Sequence, residues 1–394
     1  MKHAISPLEL KTRIKNILPE MIEFRRNLHR FPEKGLEEFE TSKKIRKRVS
    51  TIPCEVLSPI IGTDTVVILR GNEPGPNITL RADIDALEMN ESSGVPWSSC
   101  NPGFAHCCGH DGHTAILMGA FLVLSDMKDL IAGSVRFVFQ PGEEGFGGGK
   151  QLVEKGLLDQ DPKPSEVFAL HGWPGQALNT LSSGGGAAMA GSDRFTIKIL
   201  GKGGHGARPH QAVDPLLTAS LIVNGLQTII SRNTDPMSPA VLSVCSFHSG
   251  NADNVIPGTA TLLGTTRYFD PSMLDEIKTG MERVIQGVSS SMGASYEFDY
   301  RKGYIPLVND VHEVDFVRRT AEAWFGSSSW VDKSPPAATA EDFSFYLDKV
   351  PGAFIRLGLG EEYPGLHNPL FDFNDKAVET GITILVALVL EKLK

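Results

Sequence analysis

Short apolar runs that each end in ionisable residues constrain this chain more than any other feature. Ile78–Leu80 runs into Asp83 and Asp85, Val135–Phe139 into Glu143 and Glu144, and Val167–Leu170 into His171. Runs of this length, apolar throughout, fit strands buried on both faces, and Thr65–Leu69 and Phe354–Leu357 read as further parallel strands of the same kind. Helix-like stretches separate several of them, over Thr114–Leu124, Lys150–Leu157 and Phe316–Trp324, after opening helices in Pro7–Arg30 and Glu37–Val49. Such alternation implies an α/β fold with an open, mostly parallel sheet covered by helices. Open α/β sheets place their sites outside the carboxyl ends of the strands. Asp85, Glu143, Glu144 and His171 are therefore expected to converge.

Between about residues 191 and 303 the pattern changes. Phe195–Leu200 alternates as a strand, and Asp214-Pro215 supplies an N-cap followed by proline at the first helical position, opening a helix over Leu216–Ile230. Strands over Ala240–Phe247 and Thr259–Tyr268, a helix from about Asp270 to Ser290 and a strand over Ser295–Tyr300 follow. The order β-α-β-β-α-β is the ferredoxin-like arrangement. Residues 1–190 and 304–394 are thus expected to form one domain. An inserted α+β domain over 191–303 would interrupt it, with hinges at Gly184-Gly185-Gly186 and near Gly303.

A length of 394 residues suits two domains. The net charge of -9 argues against a nucleic-acid partner. Five cysteines, odd in number and irregularly spaced, do not make a disulfide framework, and they point to a reducing compartment. Met1–Glu20 interleaves Lys and Glu with Ile and Leu, so it lacks a signal-peptide core, and the apolar run near Ile382–Leu390 is well short of the roughly 18 residues a membrane span needs. A cytoplasmic protein with no membrane partner is the expectation.

The densest chemistry lies in His106-Cys107-Cys108-Gly109-His110-Asp111-Gly112-His113. Cys108 and His110, one residue apart around a flexible glycine, can turn a thiolate and an imidazole toward one cation. Such pairs also occur in structural zinc sites and as ordinary buried residues. Glu143-Glu144 is the second strong feature: adjacent side chains at a strand end point apart, so one can bind metal while the other works as a base. An exposed acidic turn between Pro141-Gly142 and Gly145 would satisfy the same residues. His171 and His367 acquire meaning only from this company, since a lone histidine is more often a satisfied core residue. Gly201–Gly206 matches G-x-G-x-x-G but no helix opens after it, and Gly147-Gly148-Gly149-Lys150 lacks the first glycine and the Ser/Thr of a phosphate loop.

Eight motifs, in order, carry a family resemblance: Arg81–Leu87, His106–His113, Phe139–Gly145, Leu170–Pro174, the Gly201–His210 segment, Asn254–Pro257, Glu341-Asp342-Phe343 and His367-Asn368-Pro369. The chain resembles the dinuclear metallo-amidohydrolases of the aminoacylase and carboxypeptidase family, in the branch of hippurate hydrolases and auxin-conjugate hydrolases. That resemblance implies the dinuclear-metal peptidase fold with a ferredoxin-like lid, and two divalent ions, zinc or manganese with cobalt or nickel as options. It implies Cys108, His110, Glu144, His171 and His367 as metal ligands, with Cys108 bridging, and Glu143 as general base and acid. Asp85 would orient a ligand, His205 would stabilise the oxyanion, and Arg267 and Asn254 would grip the substrate carboxylate. The substrate would be a small N-acyl amino acid or a short peptide, and the oligomer a homodimer or higher assembly formed through the lid. Two departures stand out: Glu88 where the family usually has proline, and Cys107, a second thiol beside the ligand, where alanine is common.

Overall fold

The apolar runs build a seven-stranded sheet in this computed structural model, which describes residues 5–394. From edge to edge its strands are Glu55–Val56, Thr65–Arg70, Ala132–Gln140, Glu73–Asp83, Glu166–Pro174, Gly352–Gly360 and Leu181–Ser182. The four inner strands from Ala132–Gln140 to Gly352–Gly360 are mutually parallel, and the pairings at both edges are antiparallel. One expectation is corrected here. Thr65–Arg70 pairs antiparallel with Ala132–Gln140, because a run buried on both faces carries no information about direction.

Helix His110–Asp126 is buried continuously from His110 to Leu124, which explains why it reads as apolar all round. It packs on Pro7–Arg30 and Val378–Lys392. Glycines let these helices approach closely: a Cβ on Gly119 would stand 2.4 Å from Ile382, and one on Gly381 would stand 2.4 Å from Ile116. Ser6 caps Pro7–Arg30 by accepting the Glu9 N–H, with Pro7 at the first helical position. No helix among the described residues is long and apolar enough to cross a membrane.

The chain divides into two compact units, one of residues up to Gly186 with Val308–Pro335 and Asp342–Lys394, the other of Ala187–Leu307 with Pro336–Glu341. The short return of Pro336–Glu341 to the second unit has no counterpart in the sequence reading. Each unit has its own core. In the second, Gly191–Leu200, Ala240–Ser249, Thr259–Tyr268 and Ser295–Tyr304 form an antiparallel sheet ordered second, third, first, fourth, with helices Pro215–Thr228 and Met273–Met292. Its buried side carries Phe195, Ile197, Ile199 and Leu262; the alternate positions, such as Leu263, are open to solvent. Gly303, expected near a hinge, lies inside the last strand, where its N–H donates to Asp193 Oδ1 at 2.8 Å.

Candidate metal centre and active site

Three parallel strand ends and one helix start bring the reactive side chains of the first unit together. Gly109 caps helix His110–Asp126 with φ of +87°, a left-handed conformation that suits glycine. The segment after His367 closes over this start: a Cβ on Gly112 would stand 2.3 Å from Phe373, and the His367 N–H donates to Cys107 O at 2.8 Å. The backbone that carries Cys108 is therefore tied directly to the backbone that carries His367.

The ligand-bearing atoms fall into overlapping groups, each within 4.8 Å: Cys108 with Glu144 and His367; His110 with Glu143 and Glu144; and Asp83 with His110, His113 and His171. Hydrogen bonds distinguish the ring nitrogens already in use from those left open to a cation. His110 Nδ1 faces Asp85, Oδ1 at 3.1 Å and the carbonyl O at 3.0 Å, and as the donor there it leaves Nε2 with the lone pair whenever the ring is neutral. His171 Nδ1–H donates to Gly172 O at 2.8 Å, leaving Nε2 at 3.5 Å from Cys108 Sγ. His113, by contrast, is used at both nitrogens, by Asp83 Oδ1 at 2.7 Å and by the Gly172 N–H at 2.8 Å. Asp83 also accepts from Arg81 at 2.8 Å. His113 and Asp83 therefore hold the end of the strand bearing His171.

Among the described residues, buried His110 Nε2 and Glu144 Oε1 find no hydrogen-bond partner of good geometry. His367 Nε2 pairs with Glu144 Oε1 at 3.2 Å, and His367 itself is half-exposed. Burial opposes a charged His110, yet Asp83, Asp85 and Glu144 raise it to about 10. Burial would likewise raise Glu144; His367 and His110 outweigh it and hold the carboxyl below its ordinary value. Burial, then Glu144, Glu143 and Asp83, push the Cys108 thiol well up. A pocket that holds a proton on His110 so firmly, and resists a bare thiolate, is one that favours added positive charge. Orphaned imidazole and carboxylate atoms beside a thiol fit divalent cations, and the overlapping groups suit two metal ions.

The flanking residues follow the same logic. Cys107 is fully buried, and burial with the charges of Glu91 and Asp111 pushes its thiol to about 12; it belongs to none of the ligand groups. Glu88 forms an ion pair with Lys34 at the surface. Sequence reasoning passes over a buried cluster behind the helix start: Arg25 donates to Asp111 at 3.2 Å, to Asp375 at 3.0 Å and to Asp372, while His29 meets Asp111 at 2.9 Å. Arg25 lies in a stretch that reads only as amphipathic helix, so nothing local marks it. His106 is buried, and neither ring nitrogen has a hydrogen-bond partner among the described residues.

In the second unit the structure brings His205 and Asn254 together on a short ladder, Gly204–His205 against Val255–Ile256, with the Gly206 N–H donating to Asn254 O at 2.8 Å. Both side chains are exposed. His205 Nδ1 accepts the Ala207 N–H at 3.1 Å, so in the neutral ring Nε2 carries the proton. Arg267 lies apart from this ladder, on Thr259–Tyr268, and donates along its own strand to Thr266 O at 2.9 Å and to Thr265 Oγ1.

The profile of Peptidase family M20/M25/M40 matches residues 79–391. The N-acyl-L-amino acid amidohydrolase of Geobacillus stearothermophilus is 39% identical over 302 residues, covering 76% of this chain and 81% of the relative. Thermostable carboxypeptidase 2 of Saccharolobus solfataricus is 36% identical over 382 residues, 95% of each. Among solved structures, the Bacillus subtilis YXEP protein, a dinuclear metal-binding peptidase, superposes with a TM-score of 0.84 at 32% identity, over 96% of this chain and 99% of that one.

Proposed function

The chain belongs to Peptidase family M20/M25/M40, and from that premise we propose that it hydrolyses the amide bond of N-acyl amino acids, releasing a carboxylic acid and a free amino acid. The observation that carries the reading is the adjacency of two unlike carboxylates: Glu144 groups with Cys108 and His367, while Glu143 stands beside it in the His110 group. A purely structural metal site has no use for that second carboxylate.

Cys108, His110, Glu144, His171 and His367 would hold two divalent cations, zinc or manganese, which supply Lewis acidity toward the scissile carbonyl and toward a water. The remaining work belongs to the chain. Glu143 takes a proton from the attacking water onto its carboxylate and returns it to the leaving amine nitrogen, and general acid–base transfer of this kind contributes about 10²- to 10⁴-fold. Asp85 bonds the His110 ring through one oxygen and the Glu144 N–H through the other, at 3.1 and 2.9 Å, so a single carboxylate sets the direction of two ligands. His205, with its proton on Nε2, is the proposed donor to the developing oxyanion, and Arg267 and Asn254 the proposed grip on the substrate carboxylate.

The test is the metal-loaded enzyme assayed against acetyl-, benzoyl- and indoleacetyl-amino acids beside dipeptides. Faster turnover of the acyl amino acids supports the reading, whereas preference for dipeptides favours the carboxypeptidase chemistry named for the Saccharolobus relative. In the same assay Glu143→Gln should bind metal, stay folded and lose about 10³-fold in kcat. Unchanged turnover in that variant overturns the role of Glu143.

A further inference from the structure

Glu143 stands on a turn whose backbone is gripped from outside by buried carboxylates. Glu38 Oε1 accepts the Gly142 N–H at 2.8 Å, Asp85 Oδ2 accepts the Glu144 N–H at 2.9 Å, and Asp342 Oδ2 accepts the Gly149 N–H at 2.7 Å. All three carboxylates are buried, and they come from separate stretches of chain. Gly142, Gly145 and Gly147 have φ of +67°, +83° and +66°, and bonds within the segment include Gly145 N–H to Glu143 O at 2.7 Å, Gly148 N–H to Gly142 O at 2.9 Å and Gln151 N–H to Gly147 O at 2.9 Å. A glycine-rich turn has many alternatives open to it, so the external acceptors decide which one it adopts.

Asp85 and Asp342 are accounted for by other partners, Asp85 by His110 and Asp342 by Arg81 and Gln140. Glu38 has no cation beside it among the described residues: its second oxygen accepts from Thr63 Oγ1 at 2.7 Å, and further hydrogen bonds come from the Leu36 and Glu38 backbone. Burial, then the charge of Asp85, push its carboxyl up to about 7. An acid buried without a cationic partner costs stability. The segment before it is moulded to the same turn: Leu36 has φ of +67°, a Cβ on Gly142 would come 2.9 Å from the Leu36 side chain, and one on Gly35 would come 2.4 Å from Phe146.

We propose that Glu38 is a positioning residue for Glu143: by holding the Gly142 peptide it sets the direction in which the Glu143 carboxylate is presented, and it takes no part in holding metal. The inference rests on Glu143 as the proton carrier. Its energetic logic is that a small misplacement of a group in the reacting geometry costs rate far more than it costs stability.

The test compares full-length, metal-loaded Glu38→Ala and Glu38→Gln with wild type. Glu38→Ala should lose about 10- to 100-fold in kcat with KM within about twofold. Manganese should bind with unchanged stoichiometry and with affinity within about threefold, and deuterium should enter the amides of residues 141–149 about tenfold faster. Glutamine can still accept the Gly142 N–H through its oxygen while its amide donates to the Thr63 hydroxyl, so Glu38→Gln should restore most of the turnover. A Glu38→Ala kcat within about twofold of wild type, a parallel fall in metal affinity, or a Gln variant no better than Ala would each overturn the proposal. Should the alanine variant not fold, Glu38→Asp, which shortens the reach by one methylene, is read against the same outcomes. A dead Glu143→Gln beside a normal Glu38→Ala removes this inference alone; an active Glu143→Gln removes the function beneath it.

Discussion

The two units hold their reactive side chains by opposite means. In the first, His110, His171 and Glu144 are buried or nearly so, and each histidine is bonded through the nitrogen that faces away from the ligand cluster. In the second, His205 and Asn254 stand exposed on a ladder of two-residue strands, restrained by little more than the Ala207 and Gly206 amides. The difference teaches what each can do alone. A buried cluster with its rings already oriented needs only to exchange the His110 proton for a cation, and such preorganisation is what metal affinity and electrostatic catalysis need. An exposed imidazole is a competent donor only when something dry is brought against it, since water competes for the same proton.

The contrast can be broken most forcefully by stripping metal. Chelation should abolish turnover and lower the unfolding midpoint by about 5–10 °C, because a ligand held at about 100-fold above its Kd contributes about 2.7 kcal/mol. All four tryptophans, at 97, 173, 324 and 330, belong to the first unit, so their fluorescence reads that unit's transition. A tryptophan-detected midpoint that ignores the chelator would refute a metal centre there.

A second, smaller effect separates the units from the other side. His205→Ala should lower kcat by about 100-fold, the scale of losing one oxyanion donor, with metal affinity and the tryptophan transition unchanged. Loss of metal in that variant would show that the two kinds of site are not independent.

The smallest effect concerns the cost of burial itself. Glu38 ionises at about 7 in the fold against an ordinary 4.5, so between those values the native state binds more protons than the unfolded chain. Stability from this group is present at low pH and lost as pH rises through about 4.5 to 7. Glu38→Gln lacks that loss, so its midpoint relative to wild type should rise by a few degrees between about pH 5 and pH 8. A difference that is flat or falls with pH would show that Glu38 ionises as easily in the fold as outside it.

Much of this was legible in the residues alone. Strand ends could be read because a run of apolar residues stops where ionisable ones begin, and Asp85, Glu143, Glu144 and His171 all lie just beyond such stops. The order of the second unit could be read because alternation and a capped helix are local patterns, with Asp214 accepting the Leu216 and Leu217 amides where the N-cap is expected. Direction could not: Thr65–Arg70 is as apolar as its parallel neighbours and runs the other way.

What the amino-acid order determined by itself is the inventory and its approximate places: which donors exist, which runs make strands, and that two carboxylates stand side by side. Periodicity and residue chemistry act over a few positions, so they survive without coordinates. Tertiary structure decided which of those donors are already used and which are open. Whether His113 is a ligand or a support depends on Asp83, thirty residues earlier in the chain, and on the Gly172 amide. Whether Glu143 is steadied depends on Glu38, 104 residues before Gly142. Those bonds join distant segments through the packed interior, where an unmet polar group is costly and each partner is fixed by geometry rather than by sequence spacing. The residue types of His106–His113 mark where donors are dense; only the fold shows which of their ring nitrogens are taken by hydrogen bonds and which stay available.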